Sequence, residues 1–152
     1  MSTSRDIADY ILRTTAGVMP LSRLNALIYV AQGWSLALRD CPLFEEDMRA
    51  GARGPYLPMF QMVTGADPLV GYQWISGDSS ALTEEEVDHL DKVLGLYEDI
   101  PDDQLREELT RSGTPWALTL LSGRGDVIEM GRLRDFYRDR MSLVSGEYLD
   151  ME

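Results

Sequence analysis

The chain has 152 residues, 26 acidic against 14 basic, and a formal net charge of −12. Such acidity argues against a protein that tracks a nucleic-acid backbone, where attraction to phosphate is the main source of affinity, and suits solubility or a basic partner. No apolar run reaches the roughly 18–20 residues needed to cross a bilayer, and Cys41, the single cysteine, leaves no intramolecular disulfide to form.

One domain of this length buries roughly 70% of the surface its unfolded chain exposes. The stretch Ser2–Asp9 is polar and mixed in charge where a secretion leader needs a basic and then an apolar segment. Lone Cys41 suits a reducing compartment, so a cytoplasmic protein is expected.

Ser4 is expected to cap a first helix over Arg5–Thr14, with Ile7, Tyr10 and Ile11 facing inward and Gly17 closing it. Next comes the strongest pattern in the chain, Met19–Leu38. Leu21, Leu24, Leu27, Ile28, Ala31, Trp34 and Leu38 recur at steps of three and four, the spacing of one helix face. Pro20 fits the first turn, where its missing N–H costs nothing. Gly33 is the one weak point, lowering helix preference by roughly 1 kcal/mol relative to alanine. Asp40, Cys41 and Pro42 break this helix, and Leu43 and Phe44 are placed to fold back on the core.

Glycines and prolines dominate residues 50–58, so a short helix is expected only from Pro55 or Pro58, with Tyr56, Met59, Phe60 and Val63 on it. A strand or hairpin is expected within Leu69, Val70, Tyr72, Trp74 and Ile75. Thr83 and Glu86 have capping-box spacing, and open a helix with Val87, Leu90, Leu94 and Tyr97 on one face. Asp102 is placed to cap a helix carrying Leu105 and Leu109 and stopping at Gly113. Thr114 and Pro115 start another, with Trp116 and Leu120 inward, ended by the Gly123–Asp126 turn. The last pattern is Met130, Leu133, Phe136, Tyr137, Met141 and Val144, closed by Gly146. The reading is a mainly α, compact single-domain fold of about six to seven helices with a short β-hairpin. Its domain spans residues 1–146, and 147–152 form a loose tail.

No set of residues announces catalysis. His89 is the only histidine, and Glu85 shares its helix face, but no second histidine or cysteine pair completes a usual metal set. A solvated histidine paired with carboxylates is expected. Cys41 reads as a small apolar filler, and Ser122–Asp126 lacks the residues of a phosphate or dinucleotide loop. No cofactor is implied. Arg53–Tyr56 is more suggestive, because Gly54 and Pro55 hold an arginine and a tyrosine in fixed relation, and those two types are enriched where partners dock. The same stretch is also a simple turn that packs Tyr56 on the central helix. Of the tryptophans, Trp34 and Trp116 suit the core, and Trp74, in a glycine-flanked stretch, suits the surface.

The run Leu24–Trp34, followed by Pro42, Leu43, Phe44, Ala50 and the pair Gly54 and Pro55, resembles the Panacea antitoxin domain, the family of SocA-like and phage-associated proteins. The resemblance continues through Leu82, Thr83, Leu90–Tyr97, Thr114–Trp116, Ile128, Phe136 and Tyr137, nearly the whole chain. The family usually carries Gln-Lys at Asn25 and Ala26, an aromatic at Arg53, and a histidine near Arg111. What the resemblance implies is a bacterial or phage antitoxin that neutralises a cognate protein toxin, encoded by the adjacent gene, by direct binding. Expected contacts are Arg53, Gly54, Pro55, Tyr56 and Trp74, with weaker support around Glu85, Asp88 and His89. Some relatives are proteolytic adaptors, which makes delivery of a toxin to a AAA+ protease such as ClpXP the alternative. A small acidic enzyme built on Glu85 and His89 is the remaining one.

Overall fold

A computed structural model describes residues 2–15, 17–60, 67–123 and 125–150, with side chains as far as residue 141. The chain is mainly helical, with two small antiparallel sheets. The first helix, α1 (Ser4–Thr14), is capped by Thr3 rather than Ser4. The Thr3 hydroxyl accepts from the Asp6 N–H and the Asp6 carboxylate accepts from the Thr3 N–H, so two otherwise orphaned amides are satisfied. The Ser4 hydroxyl, one residue inside, is buried and donates to Glu46 instead.

Strand β1 (Val18–Pro20) precedes α2 (Leu21–Leu38), so the long pattern from Met19 splits, its first two residues pairing in a sheet. Pro20 stands at the N-cap and offers no side-chain acceptor. Asp67 replaces it from across the fold, accepting from the Ser22 N–H at 3.0 Å and the Ser22 hydroxyl at 2.8 Å. A carboxylate there also sits at the positive end of the helix dipole.

From Leu24 to Ala37 every residue of α2 is buried. The apolar stripe is therefore only the first layer of contact, and the polar residues between must find partners inside the chain. Gln32 does so by donating to the Phe44 carbonyl at 2.9 Å and accepting from the Leu43 N–H at 2.7 Å, which ties the Leu43–Phe44 return to the helix. Trp34 donates from Nε1 to the Tyr97 hydroxyl at 2.8 Å. Its ring lies 5.0 Å from that of Tyr137 in an edge-on arrangement. Gly33 has a packing reason: a Cβ there would stand 2.4 Å from the Tyr137 ring.

A strand does form within residues 69–75, at Leu69–Gly71, but the hairpin lies elsewhere. It joins β2 (Arg49–Gly51) to β3 (Gly54–Tyr56), turning through Ala52 and Arg53. Gly54 takes φ +131°, a conformation that residues with a Cβ rarely adopt. Strand β4 (Leu69–Gly71) pairs instead with β1, Met19 opposite Val70, and both of these are buried. Tyr72–Ile75 then form one helical turn, α3. Of the two expected helix starts, Pro55 and Pro58, the second holds: a 3-10 turn begins at Pro58 (Pro58–Phe60), and Val63 lies outside the described residues.

Helix α4 (Glu84–Tyr97) opens with the expected Thr83–Glu86 capping box. Helix α5 (Asp102–Thr110) has Pro101, not Asp102, at its N-cap; Asp102 pairs with Arg23 at 2.6 Å. Thr114 caps α6 (Pro115–Ser122), but Leu120 does not face inward: it is exposed, as are Leu118 and Leu121, and Ala117 and Thr119 are buried in its stead. Helix α7 (Met130–Asp150) continues through Gly146 to Asp150, so Gly146 does not close it. The side chain of Val144 lies outside the described residues.

Candidate functional site: a groove at the start of the central helix

A groove of about 800 Å³ opens where the first turns of α2 and α5 meet the β2–β3 hairpin. That volume is in the range of pockets that hold a ligand, roughly 300–1,000 Å³. Its apolar lining comes from Leu21 and Ala26 of α2, Pro55 of β3, and Leu105 and Leu109 of α5. The hairpin supplies one wall because Gly51 permits it: the Tyr56 ring lies across Gly51, where a Cβ would come within 2.7 Å of the ring.

The charges around this lining differ in how they are engaged. Arg23 donates to the Ile100 and Glu98 carbonyls, both at 2.8 Å, and to Asp102 at 2.6 Å, so its guanidinium joins α2 to the turn between α4 and α5. Asp67 is held by Ser22, and the Asp103 carboxylate accepts from the Gln104 N–H at 2.9 Å. All three groove aspartates are thereby engaged by the fold. Arg106, exposed on the same wall, makes no ion pair and no side-chain hydrogen bond among the described residues. Asn25 is only 5% exposed. Its Oδ1 accepts from the Leu57 N–H at 3.2 Å, which fixes the amide's orientation, and its Nδ2 has no partner among the described residues.

Four residues singled out in the sequence, Arg53, Gly54, Pro55 and Tyr56, line this groove together. Gly54 and Pro55 are buried, Tyr56 is half-buried and Arg53 is exposed. Tyr56 thus meets the hairpin's own Gly51. Trp74 is not with them. It is 63% exposed on α3, whose packing partner is α1, near the exposed β1–β4 residues Val18 and Leu69.

His89 departs furthest from expectation. It is buried, not solvated, and its Nε2 lies 3.0 Å from the Ala31 carbonyl of α2, so that nitrogen carries the proton. Burial pushes its pKa down to about 4, opposed by the bond to Ala31. Glu85 is exposed and Asp88 pairs with Lys92 at 3.0 Å, so the Glu85–His89 pair does not form an open acid–base site. Among the described residues, no group of three metal-binding side chains comes together.

Sequence reasoning missed Arg23, Asp67 and Arg106 as groove residues. Asn25 carried a signal: an amide inside an apolar helical run must find a partner or face a cavity.

The chain is thus a mainly helical protein with a groove on one side, and no helix among the described residues is long and apolar enough to cross a membrane. Comparison of the chain with protein-family models, curated proteins and solved structures finds no match.

Proposed function

We propose that this protein is a cytoplasmic antitoxin of the Panacea type, which neutralises a cognate protein toxin by binding it through the groove beside the β2–β3 hairpin. The observation that carries the reading is the gathering of Arg53, Gly54, Pro55 and Tyr56 on one concave wall. Asn25, Ala26 and Arg53, where the chain differs from the usual pattern of the family it resembles, line the same groove. The acidic surface complements a basic toxin face and speeds encounter with it.

The test is growth of bacteria that express the adjacent open reading frame alone and with this protein. Rescue of a growth arrest is expected, together with a stable complex on purification. The double variant Arg53→Glu, Tyr56→Ala is expected to fold and to lose rescue; rescue that persists removes this wall as the interface. Loss of the toxin only when a AAA+ protease is active would replace occlusion by delivery.

A further inference from the structure

We infer that helix α6 and the outer face of α7 form an interface between two copies of this chain, packed about a twofold axis with the two α7 helices antiparallel. The inference concerns the chain by itself and stands apart from the toxin-binding reading. Three observations carry it.

First, Leu118, Leu120 and Leu121 are 42%, 45% and 81% exposed on a helix of only 8 residues. One exposed leucine is ordinary, but several side by side make a patch of the kind that marks an interaction surface. Leu118 continues that patch into a groove of about 400 Å³ between α6 and α7, whose apolar lining includes Pro115 and Phe136. The Phe136 ring is set edge-on to Tyr137 at 5.2 Å, with the Arg140 guanidinium 5.6 Å over its face, so it is held in place.

Second, the charges on this groove are left open. Arg132, Asp135 and Asp139 line it, and steps of three and four put them with Phe136 on one face of α7, while Leu133 and Tyr137 are buried on another. Asp135 is held by Arg134 at 3.2 Å. Arg132 and Asp139 make no ion pair and no side-chain hydrogen bond among the described residues.

Third, the order of these charges is its own complement. Arg132 and Asp139 lie two turns apart, about 10.5 Å along the axis, and the midpoint between them falls between Asp135 and Phe136. A second α7 turned about that midpoint sets Arg132 of each copy against Asp139 of the other, twice, with both Phe136 rings beside the axis. A parallel neighbour would oppose like charges. One patch that complements itself is what a closed twofold dimer requires, and charges along paired helices fix their orientation. The net charge of −12 on each copy opposes association at long range, but physiological salt screens it beyond about 8 Å.

Sedimentation velocity of the purified full chain, from micromolar to millimolar concentration at physiological salt, is expected to show a reversible monomer–dimer equilibrium. Arg132→Asp and Asp139→Arg each place like charges at both ends of the interface, and each is expected to weaken the dimer at least about tenfold while leaving the helical circular dichroism unchanged. Mixing these two variants in equal amounts is expected to restore the dimer, because each chain then carries one sign at both positions and pairs with the other. Leu118→Ser with Leu121→Ser is expected to abolish it in every background. A monomer throughout the range, a dimer indifferent to either charge reversal, or no restoration on mixing would overturn the inference. A monomer that uses Leu118 and Leu121 to bind the adjacent toxin would also overturn it and give this face to that partner.

Discussion

The middle of α2 and its first turns are built from the same helix and treat polar groups in opposite ways. Around the middle, Gln32 bonds at both ends of its amide, Trp34 donates to Tyr97, and His89 reaches across to the Ala31 carbonyl. At the first turns, Asn25 has its oxygen bonded and its Nδ2 without a partner among the described residues, and Arg106, which lines the same groove, makes no side-chain bond among them. The difference teaches where the chain is complete and where it is not. A buried polar group is stable when paired, so unused donors accumulate only where a cavity or an incoming molecule receives them.

The sharpest way to break the complete region is at its aromatic centre. Tyr137→Ala is expected to cost about 3–5 kcal/mol in denaturant unfolding, as for other large buried rings. Gly33→Ala should cost about 1–3 kcal/mol, because the clash with Tyr137 outweighs the gain of roughly 1 kcal/mol in helix preference. In the Tyr137→Ala background the clash is gone, and Gly33→Ala should become stabilising. A double-mutant cycle checks this directly.

His89 supplies the next effect. Its folded pKa of about 4 lies below the ordinary 6.5, because the buried ring resists charge. Its contribution is therefore whole above about pH 6.5 and is lost as the pH falls toward 4, to a total of roughly 3 kcal/mol. Unfolding of the wild type and of His89→Gln at pH 7 and pH 4.5 measures it: the wild type should lose more stability over this interval. An equal loss would mean that the ring is protonated in the folded protein.

Tyr29 is the exception within the complete region. Its hydroxyl is buried without a well-formed hydrogen bond among the described residues; burial pushes its pKa up, opposed by the nearby Trp116 backbone. Tyr29→Phe removes an unsatisfied group and is expected to be neutral or to stabilise by about 1 kcal/mol. A loss above about 1 kcal/mol in thermal or chemical unfolding would reveal a partner for that hydroxyl.

The smallest stability effect belongs to the groove. Arg106→Glu should change unfolding free energy by no more than about 0.5 kcal/mol, as exposed substitutions do, while altering what binds. A large loss would place Arg106 in the fold rather than in recognition.

Much of the fold is legible from local chemistry. Thr83 with Glu86 and Thr114 before Pro115 mark helix starts because the acceptor and the amide it serves are three residues apart. Gly51 and Gly54 bracket a two-residue turn, yet the nearby prolines drew attention away from a hairpin and the apolar residues at 69–75 drew it to themselves. His89 was misjudged because Glu85, Asp88 and Asp91 surround it in sequence. Its helix face, shared with Glu86 and Val93, lies beside the one that carries Leu90, Leu94 and Tyr97, and both are buried. Leu120 was misjudged the other way: its apolar character promised burial, but α6 is covered on the side of Ala117 and Thr119.

The sequence by itself determined the helical character, the central place of α2, most helix starts and the Arg53–Tyr56 stretch, because spacing, caps and backbone preferences act over a few residues. Tertiary structure alone decided that α2 is buried on every side, that His89 is buried against the Ala31 carbonyl, and that Asp67 caps a helix 45 residues away. It also decided the groove, which unites the start of α2, a hairpin and α5. These are consequences of packing between distant segments, and a contact that closes a long loop leaves no periodicity in the residues that make it.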